Sequence, residues 1–337
     1  MRLSLGPILA LASSAAFALV SADTTVNVCS SCDYTTISDA LSGLPSGSTA
    51  YTIAIAPGTY NERVTVNRSN VVLKSSGSSN VYIQYAIDHN TQDPNSHAGD
   101  KAVVTVNGSN VRFYDLIIVN SYKQTVNIAT VALNVQGQQV AFYNTKFYGF
   151  QDTLLVNSGG TAFFKNCYIE GSVDYIFGYG IGYFQDCIIA SNAKGYVTAS
   201  NRVNADQAGG FYFNQCQLKA TVPSGPIAFN ANASLSFTSV SQSTDTCYLG
   251  RPWSQYARVV YMTSTFGTHI NPAGWSVWKS TDPRTANVLF AEYQNGGARG
   301  TFTDQRASFA NLLNESQATQ YTVSKVFGST SWIDSSV

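Results

Sequence analysis

The sequence predicts an all-β protein wound as a parallel β-helix, and three observations carry that reading. A motif recurs: Val66-Asn67-Arg68-Ser69-Asn70-Val71 matches Val106-Asn107-Gly108-Ser109-Asn110-Val111 and is echoed by Val135-Gln136-Gly137-Gln138-Gln139-Val140. An aromatic followed two residues on by Asn, Asp or Gln, and three further by an apolar residue, then starts at Phe113, Phe142, Phe164, Phe184 and Phe213. These starts are 29, 22, 20 and 29 residues apart, the period of a solenoid. Within each unit apolar and polar residues alternate, with β-branched and aromatic enrichment, so the units are strands. Composition agrees. The 337 residues are 44% hydrophobic, 12% aromatic and only 11% charged, which excludes an aromatic-poor disordered chain. Nineteen basic residues balance nineteen acidic ones, which argues against a nucleic-acid-binding surface.

Taken in order, the chain opens with a targeting pattern. Arg2 supplies positive charge, Ile8 to Val20 an apolar run, and Val20-Ser21-Ala22 small residues for cleavage. Residues 1–22 are therefore expected to be a signal peptide, too short in its apolar run to span a bilayer, and 23–337 a single secreted domain. Secretion makes the sequons at Asn67, Asn107, Asn232 and Asn314 candidate glycan sites. It also permits disulfides; Cys29 and Cys32 are expected as a small terminal bridge or as free thiols. Ile37, Ala40, Leu41 and Leu44 share one helical face behind Thr36, so a short helix should cap the N-terminal end. The position three after each repeat aromatic, Leu116, Thr145, Cys167, Cys187 and Cys216, should form an interior column. Its cysteines then act as small hydrophobes, a disulfide between rungs being the alternative. Ser308 to Phe327, with Phe309, Leu312 and Leu313, should return along the outside or close the far end.

The repeat also bears on chemistry. Asp152 lies ten residues after Phe142, and Asp174 ten after Phe164, so the two carboxylates fall at equivalent points of adjacent coils. At the ~4.8 Å spacing of neighbouring strands two ionised carboxylates repel, and one should take up a proton while the other stays charged. That yields an acid and a base, an acid and a nucleophile, or simply two turn aspartates.

The surrounding segments resemble the signature motifs of pectin methylesterases, which demethylate homogalacturonan. They are Gly58-Thr59-Tyr60-Asn61-Glu62, Gly149-Phe150-Gln151-Asp152-Thr153-Leu154, Asp174-Tyr175-Ile176-Phe177-Gly178 and Leu249-Gly250-Arg251-Pro252-Trp253. The resemblance extends to Ile37-Ser38-Asp39-Ala40-Leu41 and Gly274-Trp275, covers essentially the mature chain, and looks most like fungal-type secreted members. It implies a right-handed parallel β-helix acting on a polysaccharide as a monomer, without cofactor or metal, nucleic acid or membrane. Carried over by position, it implies Asp174 as nucleophile, Asp152 as general acid then base, Gln151 as oxyanion donor, and Arg251 as the clamp on Asp174. Arg251 and Trp253 would line the sugar site, with Tyr175, Phe177 and Trp275 as further contacts. Tyr175 and Phe177 alternate along a strand, so one should face in and the other out.

Two departures stand out. The family's Gln-Ala-Val-Ala-Leu run reads Ala129-Thr130-Val131-Ala132-Leu133, which removes an oxyanion donor and leaves Thr130 or Gln124 as nearby substitutes. Leu155 stands where the family often has a tyrosine. Rival readings are a glycosidase or lyase on the same fold, whose carboxylate pair could look alike, and a non-catalytic wall-binding solenoid. No Gly-x-Ser-x-Gly elbow supports a serine esterase.

Overall fold

The computed structural model describes residues 24–90, 99 and 101–337; the expected signal peptide lies outside the described residues. Among the described residues seven complete turns each contribute one strand to each of three parallel sheets, which the chain ends extend to eleven, eight and seven strands, forming a right-handed parallel β-helix. One coil reads Val140–Tyr143 in the first sheet, Lys146–Tyr148 in the second and Leu154–Val156 in the third; Thr161–Lys165 then begins the next. A small antiparallel pair, His89–Asn90 with Ile128–Ala129, interrupts the pattern.

The repeated motif is explained by the corner it makes. Asp115, Asn144, Asn166, Asp186 and Gln215 all have φ between 51° and 57°, turning the chain from the first sheet into the second. Short polar side chains tolerate the left-handed region best, so the sequence pattern selects for them. The aromatic two residues earlier points inward in every coil. Register pairs Phe113 with Phe142, Phe142 with Phe164, Phe164 with Phe184, Phe184 with Phe213, and Phe213 with Tyr261. Their rings stack at 4.3–4.9 Å between centroids. The next column holds Cys167, Cys187 and Cys216 as buried free thiols, so no disulfide joins the rungs. Each thiol points at a main-chain carbonyl of the preceding coil, such as Cys187 Sγ at Phe164 O, 3.5 Å. Cys29 and Cys32 do form a disulfide.

A helix occupies Ile37–Gly43, with Ile37 and Ala40 fully buried against the first strands. Thr36 accepts the Asp39 amide at 3.1 Å. Both carboxylate oxygens of Glu62 take the amides of Ile37 and Ser38 at 2.9 Å. Glu62 thus satisfies the open N–H groups of the first turn, which accounts for its place in its motif. At the other end Ala310–Leu312 adds the last strand of the first sheet. The chain then runs back outside that sheet, where Leu313, Ala318 and Trp332 cover Tyr143, Phe163, Tyr183 and Tyr212. It both closes the end and returns. Among the described residues no helix is long and apolar enough to cross a membrane.

Candidate active site

Two equivalent corners between the second and third sheets build the site. Gly149 and Gly171 each leave a strand of the second sheet three residues before an aspartate. A Cβ at Gly149 would collide with the Thr153 side chain, and one at Gly171 with Tyr175 Cβ. Only glycine lets the chain fold back this tightly. The aspartates end these corners in left-handed backbone, φ 60° at Asp152 and 51° at Asp174. The corners bond coil to coil: Asp152 N–H donates to Val173 O at 2.9 Å, and Asp174 N–H to Tyr196 O at 2.8 Å. Asp152 and Asp174 therefore sit one rung apart at the same phase, outside the apolar interior.

The third sheet supplies the floor. Register aligns Leu155 with Phe177, Phe177 with Ala199 and Ala199 with Arg251. Three residues before each lie Asp152, Asp174, Tyr196 and Tyr248, a second column along the rim. Arg251 leans back across the small Ala199 position and grips Asp174 with two bonds, Nε to Oδ1 at 3.0 Å and Nη2 to Oδ2 at 2.7 Å. Such a bidentate pair fixes the carboxylate plane as well as its charge. Phe177, Leu155, Ala199, Ala129 and Val131 form an apolar cluster beside it, against which Trp253 and Trp278 pack. Trp253 stands 6.1 Å from the Phe177 ring and 5.3 Å from Tyr179.

Electrostatics separate the two acids, although both are raised. Burial pushes Asp152 well above the usual carboxylate range, and the neighbouring Asp174 charge pushes it further; Gln151 and Arg251 act the other way. Burial raises Asp174 as well, opposed by the hydrogen bonds and charge of Arg251. The expectation that the second carboxyl stays low is thus corrected, because both side chains are more than nine-tenths out of solvent. Their order survives: Asp174 has the guanidinium, and Asp152 has a carboxylate for a neighbour.

A family model of pectinesterases matches residues 23–330. The chain belongs to the pectinesterase family. It is 35% identical over 280 residues to probable pectinesterase A of Aspergillus niger, spanning 81% of this chain and 77% of that one. It is 33% identical over 318 residues to the pectinesterase of Aspergillus aculeatus, spanning 90% and 89%. The crystal structure of the Aspergillus niger pectin methylesterase superposes with a TM-score of 0.78 at 32% identity, covering 93% of this chain and 97% of that one. The carrot enzyme superposes with a TM-score of 0.78 at 30% identity, covering 93% and 95%. As a pectinesterase the chain is a carboxylic ester hydrolase that cleaves pectin methyl esters.

Within this family site, two of the expected sugar contacts are misplaced. Trp275 is buried in the aromatic stack, 4.4 Å from the Phe290 ring, and its indole N–H donates to Glu292 Oε1 at 3.0 Å. Tyr175 is the inward member of its strand, with its hydroxyl 3.0 Å from Ser191 Oγ inside the solenoid. Neither can touch a polysaccharide. Phe177, the outward member, remains on the floor. Of the two substitutes for the lost oxyanion donor, Thr130 is committed elsewhere. The Thr130 hydroxyl takes the Phe150 amide at 2.9 Å and lies 3.1 Å from Gln151 O as its donor. Gln124 is buried, and its Oε1 receives Asn232 N–H at 2.9 Å. Thr130 therefore shapes the Gly149–Thr153 corner instead. Sequence reading missed Tyr179, Tyr196 and Trp278. Trp278 was signalled only by its spacing, three residues after a motif tryptophan.

Proposed function

We propose that this chain demethylates homogalacturonan through an acyl-enzyme on Asp174. The observation that carries this reading is the bidentate Arg251–Asp174 pair one coil away from an acid whose surroundings favour its neutral form. Asp174 attacks the C6 ester carbonyl, and the charge arising on the carbonyl oxygen is met by the Gln151 amide, a donor of a kind that typically supplies ~3 kcal/mol. Protonated Asp152 gives its proton to the departing methoxide, which leaves as methanol. Asp152, now charged, takes a proton from water; the hydroxide attacks the acyl carbon and releases galacturonate with Asp174 regenerated. Trp253, packed over the buried Phe177, offers a ring face to the sugar backbone, and Arg251 borders the same cleft.

An aspartate-to-alanine variant of a pectin methylesterase, similar to this chain with a TM-score of 0.74 and 26% identity, has been solved in complex with a hexasaccharide. In keeping with the N-terminal pattern, the enzyme is secreted after loss of residues 1–22 and works as a monomer. Asn67, Asn107, Asn232 and Asn314 are its candidate glycan positions; Asn314 caps the helix Glu315–Ala318 through Oδ1 and leaves its nitrogen for a sugar. The test is product analysis on highly methylated pectin. Methanol without new reducing ends or unsaturated products is expected, and chain cleavage without methanol would overturn the reading in favour of a glycosidase or lyase.

A further inference from the structure

The guanidinium of Arg251 is held between two aromatic plates. Its Cζ lies 4.1 Å from the Tyr196 ring centroid and 4.3 Å from that of Trp278. Tyr196 is backed by Tyr248, stacked at 5.6 Å with 22° between planes. Arg284 also lies over Trp278, at 5.0 Å. Arg284 is itself anchored, through Nε to Asp282 Oδ2 at 2.7 Å and through Nη1 to the Trp253 carbonyl. The Trp278 segment closes on itself, with Trp278 N–H donating to Pro283 O at 3.2 Å and reciprocal bonds between Lys279 and Asp282.

These contacts have a directional consequence. The two bonds from Arg251 to Asp174 lie in the plane of the guanidinium, whereas the plates act on its faces. Bonds alone fix a guanidinium along the carboxylate; they leave it free to rock out of plane and admit water above and below. Plates on the faces remove both freedoms, and a water-poor contact between opposite charges is stronger than a wet one. A long arginine reaching across from a later coil needs such support more than a residue of the same coil would.

We infer that Trp278 and Tyr196 are positioning residues, a clamp that holds Arg251 flat against the nucleophile Asp174. The inference rests on the assignment of Asp174 above. Trp278 touches Arg251 and acts through it; its role differs from that of Trp253, which faces the sugar. Without the clamp Asp174 stays buried but loses a well-seated cation, so it holds its proton to higher pH and points less well at the ester carbon.

The experiment compares wild type with Trp278→Leu, Trp278→Phe, Tyr196→Leu and Asp174→Ala in methanol release from pectin across pH, with thermal unfolding as the check on folding. Trp278→Leu is expected to lower kcat by roughly 10- to 100-fold, the penalty of a misplaced reacting group, and leave KM within about two-fold. The acid limb of its pH–rate profile should move up by about one unit as the cation loosens. Trp278→Phe keeps a ring face and should restore most of kcat and the wild-type limb. Tyr196→Leu removes the opposite plate and should repeat the Leu result, so the answer does not hang on one variant folding. A raised KM with unchanged kcat and acid limb would make Trp278 a sugar contact and overturn the clamp. Wild-type kinetics in both Leu variants would overturn it too. Substantial activity in Asp174→Ala would sink the nucleophile assignment itself, an outcome distinct from either.

Discussion

Asp152 and Asp174 share residue type, corner and backbone conformation, yet their surroundings set them apart. Asp174 has a guanidinium on two oxygens; Asp152 has an anion one rung away. The proposed mechanism needs Asp174 charged and Asp152 protonated, so the pH–rate profile should be bell-shaped, its acid limb set by Asp174 and its alkaline limb by Asp152. Burial lifts both, so the acid limb should lie above the ~3.9 of an ordinary aspartate. Stopped assays in overlapping buffers check this; activity held down to pH ~3 would contradict it. Asp152→Asn and Asp174→Asn should each lower kcat by at least ~100-fold with the fold intact, as loss of a general acid or a nucleophile does. Replacing Gln151 tests the alkaline side. Its side chain holds the Asp152 carboxyl down, so Gln151→Leu should move that limb to higher pH while also slowing the reaction.

The coils show at element scale why one motif tryptophan is structural and another lies at the site. Trp275 follows Gly274, whose φ of 68° swings the chain so that the indole enters the stack between Tyr261 and Phe290. Its N–H meets Glu292, which is bound on both oxygens by Arg306 at 3.0 and 3.1 Å in the interior. Trp275→Ala should destabilise by roughly 3–5 kcal/mol, the usual cost of emptying a large aromatic site, with little effect on KM. Denaturant unfolding beside pectin kinetics separates this from a sugar contact, for which the changes would be reversed. The cysteine column follows the same logic. Cys187 packs as a small apolar group, so alkylating reagents should leave it untouched in the folded protein and modify it on unfolding.

At the scale of the whole molecule, the buried His269 should contribute acid sensitivity. Neither ring nitrogen of His269 has a protein partner, and burial lowers it to about 4. Its folded value lies below its unfolded one, so the unfolded chain takes the proton first as pH falls. Stability from a neutral His269 is complete above about 6.5 and is lost progressively down to about 4. Over that window wild type should lose roughly 3 kcal/mol relative to His269→Leu, measured by urea unfolding at several pH values. Equal pH dependence in the two proteins would refute it. The buried aspartates act in the opposite sense, since a raised carboxyl binds its proton more tightly when folded, and the comparison with the variant cancels their share.

Periodicity was the legible part of this protein. An inward aromatic in every coil, an αL-tolerant residue two positions later and small residues in the next column are local requirements, repeated often enough to be read from the chain itself. They were sufficient for the coil and the phase of Asp152 and Asp174, while the apolar spacing behind Thr36 pointed to the helix over Ile37–Gly43. Direction within a coil was not legible. Whether Trp275 or Trp278 faces the site depends on how the chain turns at Gly274, and the fate of Thr130 on hydrogen bonds to the following coil. The grip of Arg251 on Asp174 spans 77 residues of sequence, and its two aromatic plates come from different segments again. Strand patterns report what a residue needs from its immediate neighbours; which distant side chains meet across rungs is decided only when the coils stack, because no local energy term encodes it.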